Sequence, residues 1–389
     1  MTLVRSGPTT QLYAKRSTAI TIVSMSFSSL PPELVLHTVS TLHRGRDIYA
    51  LMSMNRGLYQ SLKRYLYQHN VDHKSSTRLL WAVEIGSLST TYCFLSLPRV
   101  NVHVQNNAGQ TILHITAQQH DKLYIMMILL WDSCIDINGT DSKRQTPLSY
   151  AASNNDCHLL GILLQHNTVD INMGNLQGQT PFYFTVHGGN KAAVKKLLND
   201  TQLDPNLSSN NLSPLAIAAG SSSMKLLEML LSDQCMAVNN QINRCVHPLI
   251  FTLLHKNEGS SLQLLHVPNI NVNCSLSYMS ALMWGIIFEQ TAVVVEILKQ
   301  DQINVNHWDN AGRTALMLAI EEGNDEVSMA LLKRKDINLI FEDVTEKSAL
   351  DYTWKSGNTK TLGEIRKQLA GSNSWCAHPV HSHKNATKK

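Results

Sequence analysis

Catalytic machinery is what this 389-residue sequence most clearly lacks. It holds no glycine-rich phosphate loop, no nucleophile elbow and no paired carboxylates on a plausible scaffold, so catalysis and a bound cofactor are not expected. Its seven cysteines are odd in number, scattered and never spaced Cys-x-x-Cys. That pattern argues against a disulfide framework and reads as reduced, intracellular thiols, placing the chain in the cytoplasm or nucleus. Long hydrophobic runs are missing too. The most apolar stretches are Leu123–Trp131, too short to span a bilayer, and Ala281–Leu298, interrupted by Glu289-Gln290. No membrane partner is expected. A net charge of +4 without any long Lys/Arg block gives nucleic-acid binding no support. Cys376-Ala377-His378 with His381 and His383 is too compressed for a zinc finger, and no metal site is assigned.

What is present is a repeat. Asp309-Asn310-Ala311-Gly312-Arg313-Thr314-Ala315-Leu316, followed by Ala319, Gly323 and Leu331-Leu332, reads as a glycine turn, a threonine cap and two short helices. The residue after the threonine-like position recurs at Arg78, Ile112, Pro147, Pro181, Pro214, Pro248, Ala281, Ala315 and Ala349, in steps of 34, 35, 34, 33, 34, 33, 34 and 34. Proline suits that first helical position because its missing N–H would have had no partner there. A second marker keeps the same time: Val100-Asn101-Val102-His103, Ile135-Asp136-Ile137-Asn138, Val169-Asp170-Ile171-Asn172, Ile270-Asn271-Val272-Asn273 and Ile303-Asn304-Val305-Asn306. Periods of this size mark stacked supersecondary units.

These residues resemble the ankyrin repeat family, most closely at Gln145-Thr146-Pro147-Leu148 with Ala151-Ala152, and at Gly178-Gln179-Thr180-Pro181. The resemblance implies an all-α solenoid over residues 74–370, with about nine helix-turn-helix units, short hairpin loops, and degenerate first and last units as caps. It also implies a protein-binding function without catalysis. His114, in Thr111-x-x-His114, corresponds to the family position whose ring bonds between adjacent hairpins. After the second helix the family's glycine is largely missing, and Asn167, Asp200 and Lys335 occupy the region. Looser helix ends are expected there. The fifth unit (His247-Pro248-Leu249) is degenerate and is the expected weak point, while Leu164 is expected to be buried.

Ahead of the repeats, residues 1–25 carry Arg5, Lys15 and Arg16 with no acidic residue before Glu33. They read as a disordered leader, a transit peptide, or an extension upstream of a start at Met25. Residues 26–73 hold Leu30-Pro31-Pro32-Glu33-Leu34-Val35-Leu36, Val39 and Leu42, then Ile48, Leu51, Met54, Leu58 and Leu62. A proline-opened amphipathic helix and a second one after Gly45 are expected, with too little apolar surface to close a core alone. The segment resembles an F-box. That resemblance implies docking to the adaptor of a cullin-RING ubiquitin ligase through Leu30, Pro31, Leu34, Val35, Val39, Leu42, Ile48 and Leu51. The other reading is an apolar cap on the first repeat. Residues 371–389 read as a disordered tail.

Surface positions in the early units are small and polar, among them Asn107, Gln110, Ser142, Lys143, Ser153 and Gln177. Later ones hold Val246, Leu254, Tyr278, Met279, Ile287, Phe288 and Trp308. Apolar and aromatic side chains where solvent is expected point to a target-binding surface for a protein partner, or else to a shifted fifth unit whose gap these side chains fill.

Overall fold

The computed structural model describes residues 77–371 except 133, 222 and 240–244. The F-box-like segment, the leader and the His-rich tail therefore lie outside the described residues. The chain divides after Asp170 into two compact units.

In the first unit, three helical hairpins follow one another: α1 (Thr77–Glu84) with α2 (Leu88–Leu95), α3 (Ile112–Ala117) with α4 (Leu123–Leu130), and α5 (Pro147–Ser153) with α6 (Cys157–Leu164). The second unit holds six. They are α7 (Pro181–His187) with α8 (Lys191–Leu198), α9 (Pro214–Gly220) with α10 (Met224–Leu231), and α11 (Pro248–Leu254) with α12 (Glu258–Leu265). Then come α13 (Ala281–Ile287) with α14 (Thr291–Leu298), α15 (Ala315–Glu321) with α16 (Asp325–Leu332), and α17 (Ala349–Ser356) with α18 (Thr359–Gly371). The first helix of each hairpin, called inner here, packs on the inner helices of its neighbours within the unit, and most of the second, outer helices do likewise. One hairpin buries only part of its apolar stripe, and stacking buries the rest.

Local chemistry explains both helix starts. Side chains of Thr146, Thr180, Ser213 and Ser280 accept from the backbone N–H three residues on, opening α5, α7, α9 and α13. Asp156, Asn190, Asn257 and Asn324 do the same for the outer helices α6, α8, α12 and α16. The interiors are Leu, Ile, Val and Ala in matching register, such as Leu159, Leu160 and Leu163 in one unit and Leu226, Leu227 and Leu230 in the other. Leu164, expected in the core, is only half-buried; Leu163 points inward instead, because an eight-residue helix offers the core one stripe.

The four-residue marker resolves into two functions. Its second residue closes a local turn: Asp136 Oδ1 accepts from the Asn138 N–H, Asn271 Oδ1 from Asn273, and Asn304 Oδ1 from Asn306. Its final asparagine clamps the next hairpin. Asn273 Nδ2 donates to the Gln302 carbonyl and its Oδ1 accepts from the Asn304 N–H, both at 2.7 Å. Asn138 clamps Thr168 and Asp170 within the first unit. Asn172, Asn206, Asn239 and Asn306 repeat the arrangement within the second.

Two expectations need correction. Left-handed residues follow the inner helices, at Gly86, Asn155, Gly189, Lys256, Glu289, Gly323 and Gly357, and recur at hairpin tips; beyond the outer helices Arg99 and Asn269 are left-handed, but Asn167, Asp200 and Lys335 are not. The outer helices instead end in tight turns with three-residue hydrogen bonds, as from His166 N–H to the Leu163 carbonyl, which need no left-handed residue. The fold is also not purely helical: Ser275–Leu276 and Met279–Ser280 form a two-stranded antiparallel hairpin.

Candidate functional site

The fourth residue of α11 and of α13 is half-buried and aromatic, Phe251 and Trp284, a residue type shared by Tyr150, Phe184 and Tyr352 at the same place in α5, α7 and α17. One turn later, on the same helix face, sit His255 and Phe288. The Phe251 and His255 rings lie 4.1 Å apart, and Trp284 stacks on Phe288 at 5.7 Å with the planes 12° apart. Lys256 Nζ stands 5.8 Å from the centre of the Phe288 ring, within range of a cation–π attraction. Its position depends on the left-handed backbone of Lys256 itself, which turns the chain after α11.

The adjoining hairpin tip continues the surface. Ser277 and Tyr278 both have positive φ, at 52° and 67°, the backbone of a two-residue turn that matches strand twist. An aromatic residue is costly in that conformation, since its Cβ crowds the following carbonyl. Tyr278 is nevertheless 70% exposed, displayed rather than packed. Its carbonyl accepts from His307 Nε2 at 2.9 Å. The His307 ring stacks against Trp308, itself 56% exposed, and Trp308 meets Phe341 at 5.8 Å. Trp284 Nε1 donates to the Leu276 carbonyl, tying the inner-helix rings to the strand hairpin.

Of the residues expected from sequence, Tyr278 and Trp308 are linked through His307, and Phe288 joins the strand hairpin through Trp284. Met279 lies half-buried in the second strand. Ile287 and Leu254 are half-buried on α13 and α11, and Val246 gives its N–H to the Asn211 carbonyl at 2.8 Å. Sequence reasoning missed Phe251, Trp284, His255, Lys256, His307 and Phe341. The period alone does not single out Phe251 and Trp284, because their helix position holds Tyr150, Phe184 and Tyr352 as well as Ile115, Ile217 and Leu318.

Polar networks flank this surface. Arg313 pairs with Asp309 at 2.9 Å and with Glu321 at 2.8 Å, and Lys355 lies 4.0 Å from Glu321. Beyond them, Asp343 orders its own hairpin tip. Burial would raise its pKa, but donors from the Lys347 and Thr345 backbone and the Thr345 and Tyr352 hydroxyls outweigh it and hold the carboxyl at about 2. The arrangement offers stacking, apolar contact and a cation, the chemistry of recognition.

The histidines at the helix starts are structural. His114 Nδ1 accepts from the Thr111 N–H while Nε2 donates to the Gln145 carbonyl of the next hairpin, and burial lowers its pKa. His247 caps α11, its Nδ1 accepting from the Leu249 N–H at 3.2 Å and its Nε2 meeting Asn239 Oδ1 at 3.3 Å. Burial pushes its pKa down to about 4. Among the described residues, no group of three or more His, Cys, Asp or Glu side chains is arranged to hold a metal ion, and no helix is long and apolar enough to cross a membrane. A family model described as ankyrin repeats (3 copies) matches residues 79–175, 151–243 and 249–341.

Proposed function

The chain belongs to the ankyrin repeat family, whose members are generally non-catalytic protein-interaction modules, and from that premise we propose that it is a receptor holding a protein target on the surface around Tyr278, Phe288 and Trp308. The observation that carries this reading is Tyr278, kept exposed in a costly backbone conformation beside the exposed Trp308. Local strain persists where the surroundings enforce it, and here it presents a ring to solvent.

In its fuller form the receptor serves a cullin-RING ubiquitin ligase. Residues 26–73 dock the adaptor through the F-box-like positions from Leu30 to Leu51, and all nine hairpins act as repeats that offer the target to other subunits. Two modules with no chemistry of their own support that division of labour. A pull-down of the full chain with the adaptor tests it, beside a Leu34→Asp/Leu42→Asp variant. Capture by the wild type alone supports the F-box, and capture that survives the substitutions refutes it. On the target side, Tyr278→Ala/Trp308→Ala should abolish recovery of the partner captured by the wild type.

A second reading, a scaffold whose N-terminal helices serve only as a cap, is favoured by Leu79 and Leu80. Both are buried in α1, the first described helix. Truncation after residue 73 separates the two readings. Loss of a cap exposes these leucines and promotes aggregation, whereas removal of an F-box leaves a stable monomer.

A further inference from the structure

The first unit carries a second apolar surface, on its outer helices. Trp131 is 91% exposed, Tyr124 70% and Tyr92 63%, and Leu88 and Met127 are exposed beside them. Counting along each outer helix, Tyr92 on α2 and Met127 on α4 hold equivalent places in helices that pack side by side. Single exposed hydrophobics are ordinary, but five on two adjacent helices make a patch.

The patch has an edge. On α6, the positions of Tyr124, Met127 and Trp131 are His158, Gly161 and Gln165; on α8 they are Ala192, Lys195 and Asn199. Exposed apolar side chains on outer helices therefore concentrate on the two nearest Thr77, where the preceding 76 residues join the fold, with Met224 on α10 standing apart from them in the sequence. That preceding stretch has the complementary need: Leu34, Val39, Leu42, Ile48, Leu51, Met54, Leu58 and Leu62 recur at helical spacing and are too few to form a core of their own.

We propose that the face formed by Tyr92, Tyr124, Met127 and Trp131 is the seat of the chain's own N-terminal amphipathic segment, residues 30–62. The tether permits it. Residues 63–76 reach up to ~45 Å when extended, while α1 packs on α2 and α2 on α4, two helix spacings of ~10 Å each. A short tether also holds the segment at an effective concentration on the order of millimolar, so a modest contact area suffices. The seat holds whether or not the same segment also meets a ligase adaptor.

Two measurements on the full chain test this from both sides. Hydroxyl-radical footprinting of Trp131 compares the wild type with Leu34→Asp/Leu51→Asp; hydrogen exchange of residues 34–58 compares the wild type with Trp131→Glu. Expected are a Trp131 labelling rate raised at least ~5-fold and amide exchange hastened at least ~10-fold, with protection of Leu159–Leu163 retained in both variants. Unchanged rates in either comparison overturn the proposal. So does a Trp131 signal that responds to dilution but not to Leu34→Asp/Leu51→Asp, because the occupant is then a second copy of the chain.

Discussion

The two units share one buried register and differ in which side of it carries most of their exposed rings. In the first, the most exposed rings stand on and beside the outer helices α2 and α4; its inner-helix edge holds Trp81, 42% exposed on α1, and a satisfied polar group on α5, where the Tyr150 hydroxyl donates to Asp141 at 2.8 Å and receives from Gln110. In the second, outer-helix positions equivalent to Met127 and Tyr124 are Lys195 and Glu326, and the rings stand on the inner helices and hairpin tips instead. The core dictates which positions face inward and leaves the others free. Recognition surfaces can therefore be placed on either side of a hairpin at little cost to stability.

The comparison is broken most forcefully in the core. Leu163→Ala in the first unit and Leu227→Ala in the second should each cost about 2–5 kcal/mol in urea unfolding, since both side chains are fully buried. Markedly unequal costs would show that the units do not share one packing logic.

Acid should next weaken the second unit more than the first, because burial lowers the pKa of His114 as well but shifts His247 further. The folded pKa of His247, about 4, lies below its ordinary value of 6.5, so the stability it supports is present above pH 6.5 and lost as pH falls toward 4. That loss is about 3 kcal/mol. Protonating Nδ1 also removes the cap of α11. His247→Thr restores the capping chemistry of the other hairpins and should flatten this pH dependence, read as unfolding midpoints from pH 7 to 4.

A smaller effect is expected at the clamps. Asn273→Ala and Asn138→Ala each leave one carbonyl and one N–H without a side-chain partner, at about 1 kcal/mol because the groups border solvent. Amide exchange should quicken at Asn304 and Asp170 respectively. The smallest stability change belongs to the exposed rings: Trp308→Ala should shift unfolding by under about 0.5 kcal/mol while abolishing target capture.

Much of this was legible beforehand. The phase from Ile112 to Ala349 named every inner helix start from α3 onward, because capping and proline preferences are local. Tyr278 and Trp308 stood out as aromatic residues in tip positions. Phe251 and Trp284 did not, since an apolar residue within a helix reads as core until its neighbours are known. The asparagine at the end of the marker was visible four times, yet its clamp links groups about 30 residues apart, beyond any local rule.

By itself, then, the sequence determined the repeat, its period and the starts of the inner helices from α3 onward, all of which follow from interactions within a few residues. Tertiary structure alone decided that His247 caps a helix as a buried neutral ring. It also decided that Trp284 stacks on Phe288 near Lys256, and that α2 and α4, which carry the exposed Tyr92 and Met127, pack side by side. These outcomes depend on which side chains from different hairpins arrive at the same place, and stacking settles that by burying one stripe and leaving the remainder to solvent.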